Sequence, residues 1–249
     1  MARTISRGDF TIPVFERDNI RIYYDVHGEG FPVLSLAPSG MRSAIPIWEN
    51  IPYNPIERFA PHYQVIAMDQ RNAGRSTAPI AATDGWRDYT DDQVALLDHL
   101  GVDRFHAAGM CIGGSFIMGL LEAVPERIAS AVMLQPIGFD DNRQTFADLF
   151  DGWSEALKPK HPLLGEDDWA TFRSTMFGGD FLFNVSENAV AKCPIPLLVL
   201  MGTDIYHPEV TSRRIAELAP RATLVELWKE PEHQASASAK INAFLAEHV

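Results

Sequence analysis

The sequence predicts an α/β fold: a mostly parallel central sheet with helices on both faces, an N-terminal antiparallel hairpin and a small helical insertion. Three observations carry this. Short apolar runs alternate with longer amphipathic segments along the chain. Two alternating, β-rich runs near the start flank the turn-forming pair Asp18-Asn19. And Gly109-Met110-Cys111-Ile112-Gly113-Gly114 joins a run that reads as a buried strand to one that reads as a helix.

In chain order, residues 10–17 and 20–27 are the hairpin. Residues 33–37 and 64–69 are short apolar strands, and between them 48–59 is a helical region broken by Pro52 and Pro55. An amphipathic helix covers 87–100, followed by a strand over 104–110 and a helix over 112–124. Residues 129–136, 196–202 and 222–228 are further strands, and 210–218 and 236–249 are helices. The segment from 138 to 190 differs in composition. It holds seven of the fourteen phenylalanines and two of the five tryptophans, with acidic clusters at Asp140-Asp141 and Glu166-Asp167-Asp168. Lying between two strands, it is expected to be a helical cap, with residues 1–137 and 191–249 forming the core domain. Most of its rings would glue cap to sheet; a few would line an apolar pocket.

Composition narrows the function. A chain of 249 residues with 46% hydrophobic and 22% charged residues can bury a sizeable core. Its net charge of −12, without a basic cluster, argues against nucleic acid and anionic membranes as partners. Two cysteines, Cys111 and Cys193, make neither a disulfide framework nor a metal site, so no metal and no cofactor are expected. Met1 to Phe10 lacks the apolar stretch of a secretory leader, and a cytoplasmic, reducing location is the expectation. Residues 105–124 are apolar enough to test as a membrane span, but four glycines, Gly109, Gly113, Gly114 and Gly119, fit a buried strand-turn-helix instead.

The stretch around Cys111 has the spacing Gly-x-nucleophile-x-Gly of a nucleophile elbow, with cysteine where serine is usual. Small residues flank the nucleophile because side chains there would collide with the turn. A nucleophile needs a base, an orienting acid and an oxyanion hole. The expected chain order is nucleophile, acid, base. His233, in Glu230-Pro231-Glu232-His233-Gln234, is the base expected, in a loop between the last strand and the last helix. His207, close to the acid, is its one serious competitor. The acid expected is Asp204, just past the strand ending at Met201, with Asp140 or Asp141 as rivals. The backbone N–H of Ile112 is one oxyanion donor, and Gly40 or Met41, in Ala37-Pro38-Ser39-Gly40-Met41, supplies the other.

These pieces, together with Asp69-Gln70-Arg71-Asn72-Ala73-Gly74-Arg75-Ser76, resemble the α/β-hydrolase superfamily over nearly the whole chain. The Asp69–Ser76 stretch is similar to the Asp-x-Arg-Gly-x-Gly-x-Ser turn of the capped epoxide-hydrolase-like and ring-cleavage hydrolase branches, with Asn72 in place of a glycine. There the turn is mainly structural. Two departures stand out: Pro38-Ser39 replaces the His-Gly common in the oxyanion loop, and Cys111 replaces serine or aspartate. A Cys-His-Asp triad on this fold is similar to that of dienelactone hydrolases.

A thiol beside an imidazole at a helix N-terminus ionises readily. The expected activity is therefore hydrolysis of a small activated acyl substrate, an ester, thioester or lactone, through a thioester intermediate. Arg42 and Arg71 flank the expected pocket mouth, where either could hold a substrate carboxylate, although a solvated surface arginine is the commoner case. Phe139, Trp153 and Phe177 are the cap rings expected near substrate. The alternatives are a carbon–carbon bond hydrolase, an acyltransferase and a non-catalytic small-molecule-binding protein. The partner expected is the small acyl substrate, with a homodimer left open.

Overall fold

The carboxyl ends of six parallel strands meet along one edge of the molecule, and the loops leaving them build the site. The computed structural model describes residues 13–51 and 53–249. Residues 10–12 of the expected first strand, the leader reading of Met1 to Phe10, and the expected break at Pro52 lie outside the described residues. Strands β1 (Val14–Arg17) and β2 (Ile20–His27) form the antiparallel hairpin, turning through Asp18 in the left-handed region. Strands β3 (Pro32–Leu36), β4 (Gln64–Met68), β5 (Phe105–Cys111), β6 (Ile128–Pro136), β7 (Leu197–Leu200) and β8 (Ala222–Val225) pair in parallel, and β2 joins β4 antiparallel. The eight-stranded order is β1-β2-β4-β3-β5-β6-β7-β8, and the sheet is mostly parallel with an N-terminal antiparallel hairpin, as the sequence predicts.

The central strands are apolar throughout because helices cover both faces; Leu-Leu-Val-Leu of β7 is wholly buried. Successive residues point to opposite faces, so each strand feeds two cores. On one face Val65, Met110, Leu134 and Leu200 meet Phe59 of α1 (Pro55–Phe59) and Ala237, Ile241 and Leu245 of α8 (Pro231–Glu247). On the other, Ile66, Ala107 and Met133 meet α2 (Trp86–His99), α3 (Ile112–Ala123) and α7 (Glu209–Leu218). Between β6 and β7 the chain adds α4 (Arg143–Ser154), α5 (Glu166–Phe177) and the short α6 (Glu187–Ala191). Their rings join the second core, with Phe146 stacked on Phe177 at 5.4 Å and tilted on Phe183 at 4.6 Å. Among the described residues, no helix is long and apolar enough to cross a membrane.

The Asp69–Ser76 turn locks the loop after β4. The buried Asp69 carboxylate accepts the N–H groups of Ile45 (2.8 Å) and Arg75 (2.9 Å). Asn72, at φ 57°, accepts the N–H of Ala78 through its side chain, using the tolerance of asparagine for that region. Arg71 is not a solvated arginine: it is 5% exposed and bonds the fully buried Asp92 at 2.8 Å, with Asp88 3.4 Å away. Partners on α2 compensate its desolvation, so it anchors that helix.

The C-terminal segment departs from expectation at one end. The last helix starts at Pro231, not near 236. Proline at the first helical position has its φ preset and lacks an N–H that would otherwise go unpaired, and Glu232 adds an acid to the first turn. His233 therefore sits inside the first turn of α8, its N–H bonded to the Glu230 carbonyl at 2.9 Å, rather than in a free loop.

Candidate active site

Cys111 ends β5 and begins α3 at φ 60°, ψ −117°, a conformation that costs a cysteine about 1–3 kcal/mol. The tightness of the turn explains its glycines. A Cβ on Gly109 would lie 2.5 Å from the Gly113 carbonyl oxygen, and one on Gly113 would lie 2.7 Å from that of Leu36. The strained backbone lifts the thiol to the carboxyl edge of the sheet, where it is only partly buried and packs against both cores. Cys193 is also a free thiol, but it is buried and its Sγ lies 3.7 Å from the Ile195 carbonyl.

The imidazole facing Cys111 belongs to His207. Its loop leaves β7 and folds back within one turn. The Asp204 carboxylate accepts the N–H groups of Tyr206 (3.0 Å) and His207 (3.1 Å), and the His207 N–H also reaches the Asp204 carbonyl at 3.0 Å. This side-chain-to-backbone turn brings the ring onto the acid: His207 Nδ1 lies 2.8 and 2.9 Å from the two carboxylate oxygens. Gly202 makes room, since a Cβ there would lie 2.3 Å from the His207 carbonyl oxygen. With Nδ1 on Asp204, the tautomer is fixed and Nε2 points inward. Nε2 is buried and meets no hydrogen-bond partner of good geometry among the described residues; the Cys111 thiol is the polar group it faces.

The electrostatics of the three groups interlock. Burial pushes the Cys111 thiol up, but the facing His207 and the N–H groups of Ser39 and Ile112 outweigh it and hold the thiol below its ordinary range. Burial pushes His207 down, and the Cys111 thiolate and Asp204 carboxylate reverse this, leaving the imidazole above its ordinary value. Asp204 is raised by its partial burial and lowered more strongly by His207 and the turn's N–H groups. Each shift favours a thiolate beside an imidazolium.

Of the residues the sequence singles out, Cys111 and Asp204 come together, and the histidine that joins them is His207, not His233. No hydrogen bond joins the His233 side chain to Cys111 or Asp204, because the helix that starts at Pro231 holds His233 in its first turn. Asp140 and Asp141, the rival acids, are not partners of His207. The N–H groups that face the sulfur are those of Ile112 and Ser39; neither Gly40 nor Met41 is among them. Ser39 (φ 90°) and Gly40 (φ 58°) are both left-handed, and this pair starts the tight turn that turns the Ser39 N–H toward the sulfur. Met41 is buried, with its sulfur 3.9 Å from the Tyr89 hydroxyl.

Of the residues expected near substrate, Arg42 donates to the Gly152 carbonyl and so ties the oxyanion loop to α4. The Trp153 indole donates to the Asn72 carbonyl at 3.1 Å, Phe177 is buried among rings, and Phe139 lies under the Arg143 guanidinium at 4.1 Å. These four groups are spent largely on holding the β6–β7 segment down. Sequence reasoning missed Ser39, and it ranked His207 second; the Asp204-x-x-His207 spacing, in which an aspartate side chain closes a turn, was the available signal.

A family model described as the alpha/beta hydrolase fold matches residues 40–227. A putative carbamate hydrolase of Azorhizobium caulinodans is 37% identical over 116 residues, which is 45% of this chain and 40% of that protein. A carboxylesterase of Bacillus subtilis is 25% identical over 214 residues, 76% of this chain and 70% of that protein. Among solved structures, Est816, described as an N-acyl homoserine lactone degrading enzyme, superposes with a TM-score of 0.66 at 25% identity, covering 95% of this chain and all of that one (100%). The enol-lactonase of Burkholderia xenovorans LB400 superposes with a TM-score of 0.71 at 18% identity over 94% of this chain and 100% of that one, a likeness of fold. The match to the family model spans most of the chain and agrees with its strand order and its strained elbow, and the chain belongs to the α/β-hydrolase family.

Proposed function

We propose that the protein hydrolyses a small activated acyl substrate, an ester, thioester or lactone, with Cys111 as nucleophile, His207 as base and Asp204 as its orienting acid. The observation that carries this is the convergence on one sulfur of the His207 imidazole and two backbone N–H groups, at a strained elbow that leaves the thiol only partly buried. The thiolate attacks the acyl carbon and forms the C–S bond, while the N–H groups of Ser39 and Ile112 hold the oxyanion. Collapse breaks the bond to the leaving group, which takes the proton from His207 Nε2. Water then adds to the thioester, giving its proton to the same nitrogen, and the second collapse returns the thiolate and releases the acid. Residues 138–190 act as a cap that closes over this edge. The thiol must stay reduced, so this reading includes a reducing compartment. The likeness to a carboxylesterase and to a putative carbamate hydrolase supports an acyl rather than a carbon–carbon substrate.

The test pairs alkylation with turnover. Iodoacetamide should label Cys111 and abolish hydrolysis of 4-nitrophenyl acetate together, and Cys111→Ala should be inactive. Full esterase activity in Cys111→Ala sinks the proposal.

A further inference from the structure

A cavity of about 330 Å³ opens at the carboxyl ends of β6, β7 and β8, on the α8 face of the sheet. Met110, the residue before Cys111, and Asp204, which is bonded to His207, both line it. Ile51, Tyr53 and Trp228 form apolar walls. Trp228 is fixed by its indole N–H on the Met201 carbonyl at 2.8 Å. Tyr53 is buried, and its hydroxyl, close to Ser238, makes no well-formed hydrogen bond among the described residues.

Against these walls stand Gln135, Lys229 and Gln234. Gln135 takes φ 38°, a left-handed conformation that a non-glycine residue adopts at a cost, one position before the Pro136 that pairs with Cys111. Lys229 is the one cation among the lining residues. Its Nζ lies 3.3 Å from the Thr203 hydroxyl and 4.0 Å from the nearer Asp204 oxygen, so no close ion pair neutralises it. Asp204 is instead committed to His207. Gln234 donates to the Lys229 carbonyl at 3.0 Å and so secures the loop that carries the cation.

We propose that this cavity is the acyl subsite and that it selects acyl groups ending in a carboxylate, with the carboxylate at Lys229 and Gln135 and the carbon chain along Trp228, Tyr53 and Ile51. The substrate class is a monoester or monothioester of a dicarboxylic acid. A lone ammonium beside neutral amides matches the single charge of one carboxylate, and no arginine lines the cavity to grip a phosphate through two parallel bonds.

The subsite rests on the proposed Cys111 chemistry, so the experiment reads it in two ways. Glutarate should slow iodoacetamide labelling of Cys111 in the wild type, and Lys229→Met should remove this protection while Lys229→Arg keeps it. In turnover, the ratio of kcat/KM for mono-(4-nitrophenyl) glutarate over 4-nitrophenyl pentanoate should fall about tenfold or more in Lys229→Met, the loss expected when one partner of a partly buried charge pair is removed. Protection without turnover of either ester keeps the subsite and removes the hydrolase. Turnover with no glutarate protection and an unchanged ratio removes the subsite and keeps the hydrolase. Stronger protection by inorganic phosphate than by glutarate also overturns the carboxylate assignment.

Discussion

The two faces of the sheet reach the nucleophile differently. On the α2–α3 face, the β6–β7 segment fills its own space: Phe146, Phe177 and Phe183 pack on one another, and Phe150, Trp153 and Phe172 do the same. On the α8 face, an aromatic pair, Tyr53 and Trp228, lines an open cavity with a cation at its rim. The rings of the β6–β7 segment thus mark a packed region, and the cavity that Asp204 lines opens on the other face. Rings that satisfy each other have nothing left to offer a substrate.

That contrast can be broken or sharpened by mutation. The largest effects belong to the groups both faces converge on. His207→Ala should lower kcat/KM for an aryl ester about a thousandfold or more, in the range seen when a triad base is lost. His233→Ala, in the first turn of α8, should change it little. Equal losses in the two variants would return the base to His233. The same pair can be followed by pH. Alkylation of Cys111 should rise with a midpoint below that of a free thiol and move upward in His207→Ala, because the imidazolium that stabilises the thiolate is gone.

Next come the packed rings. Phe177→Ala should cost about 3–4 kcal/mol in chemical denaturation by creating a cavity among its neighbours, while leaving glutarate protection of Cys111 in place. Loss of that protection would bring the β6–β7 rings back to the substrate. Of similar size is an effect of pH on stability. His106, buried on β5 with Nδ1 2.9 Å from the Ser130 hydroxyl, is pushed down to about 4 by burial and by the nearby His248 and Arg104. The unfolded chain takes up this proton first, so stability should fall as pH drops from about 6.5 toward about 4, by about 3 kcal/mol in all. In His106→Leu this part of the slope should vanish, although the unpaired Ser130 hydroxyl lowers the starting value. An unchanged slope would assign acid sensitivity elsewhere. The smallest effect is expected of Arg42→Ala, which removes one bond to Gly152 and should cost about 1 kcal/mol, with KM for an acidic ester unchanged. A large rise in KM would make Arg42 a substrate ligand.

The elbow was legible in the sequence because its constraint is local and steric: Gly109 and Gly113 leave no room for any other residue. The sheet was legible because strands buried on both faces must be apolar along their whole length. The histidine beside the acid was harder to read, since three histidines, His207, His233 and His248, follow Asp204 and the loop after the last strand favours His233. What decided between them was helix initiation at Pro231, worth a fraction of the stability of a core contact, against an aspartate-closed turn at Asp204–His207. The Ser39 donor depends on two consecutive left-handed residues, and serine carries no strong preference for that region. Arg71 was misplaced because its acidic partners come from α2, some twenty residues away in the chain.

The turn from Asp204 to His207 has a further consequence. Asp204 and His207, the proposed acid and base, sit three residues apart and are oriented by bonds that close within the same loop. Their alignment is therefore a property of a short peptide segment rather than of two loops docked from afar. Fraying of the C-terminal helix would leave the pair intact, and the two groups would be inherited, lost or grafted onto another strand end as one module.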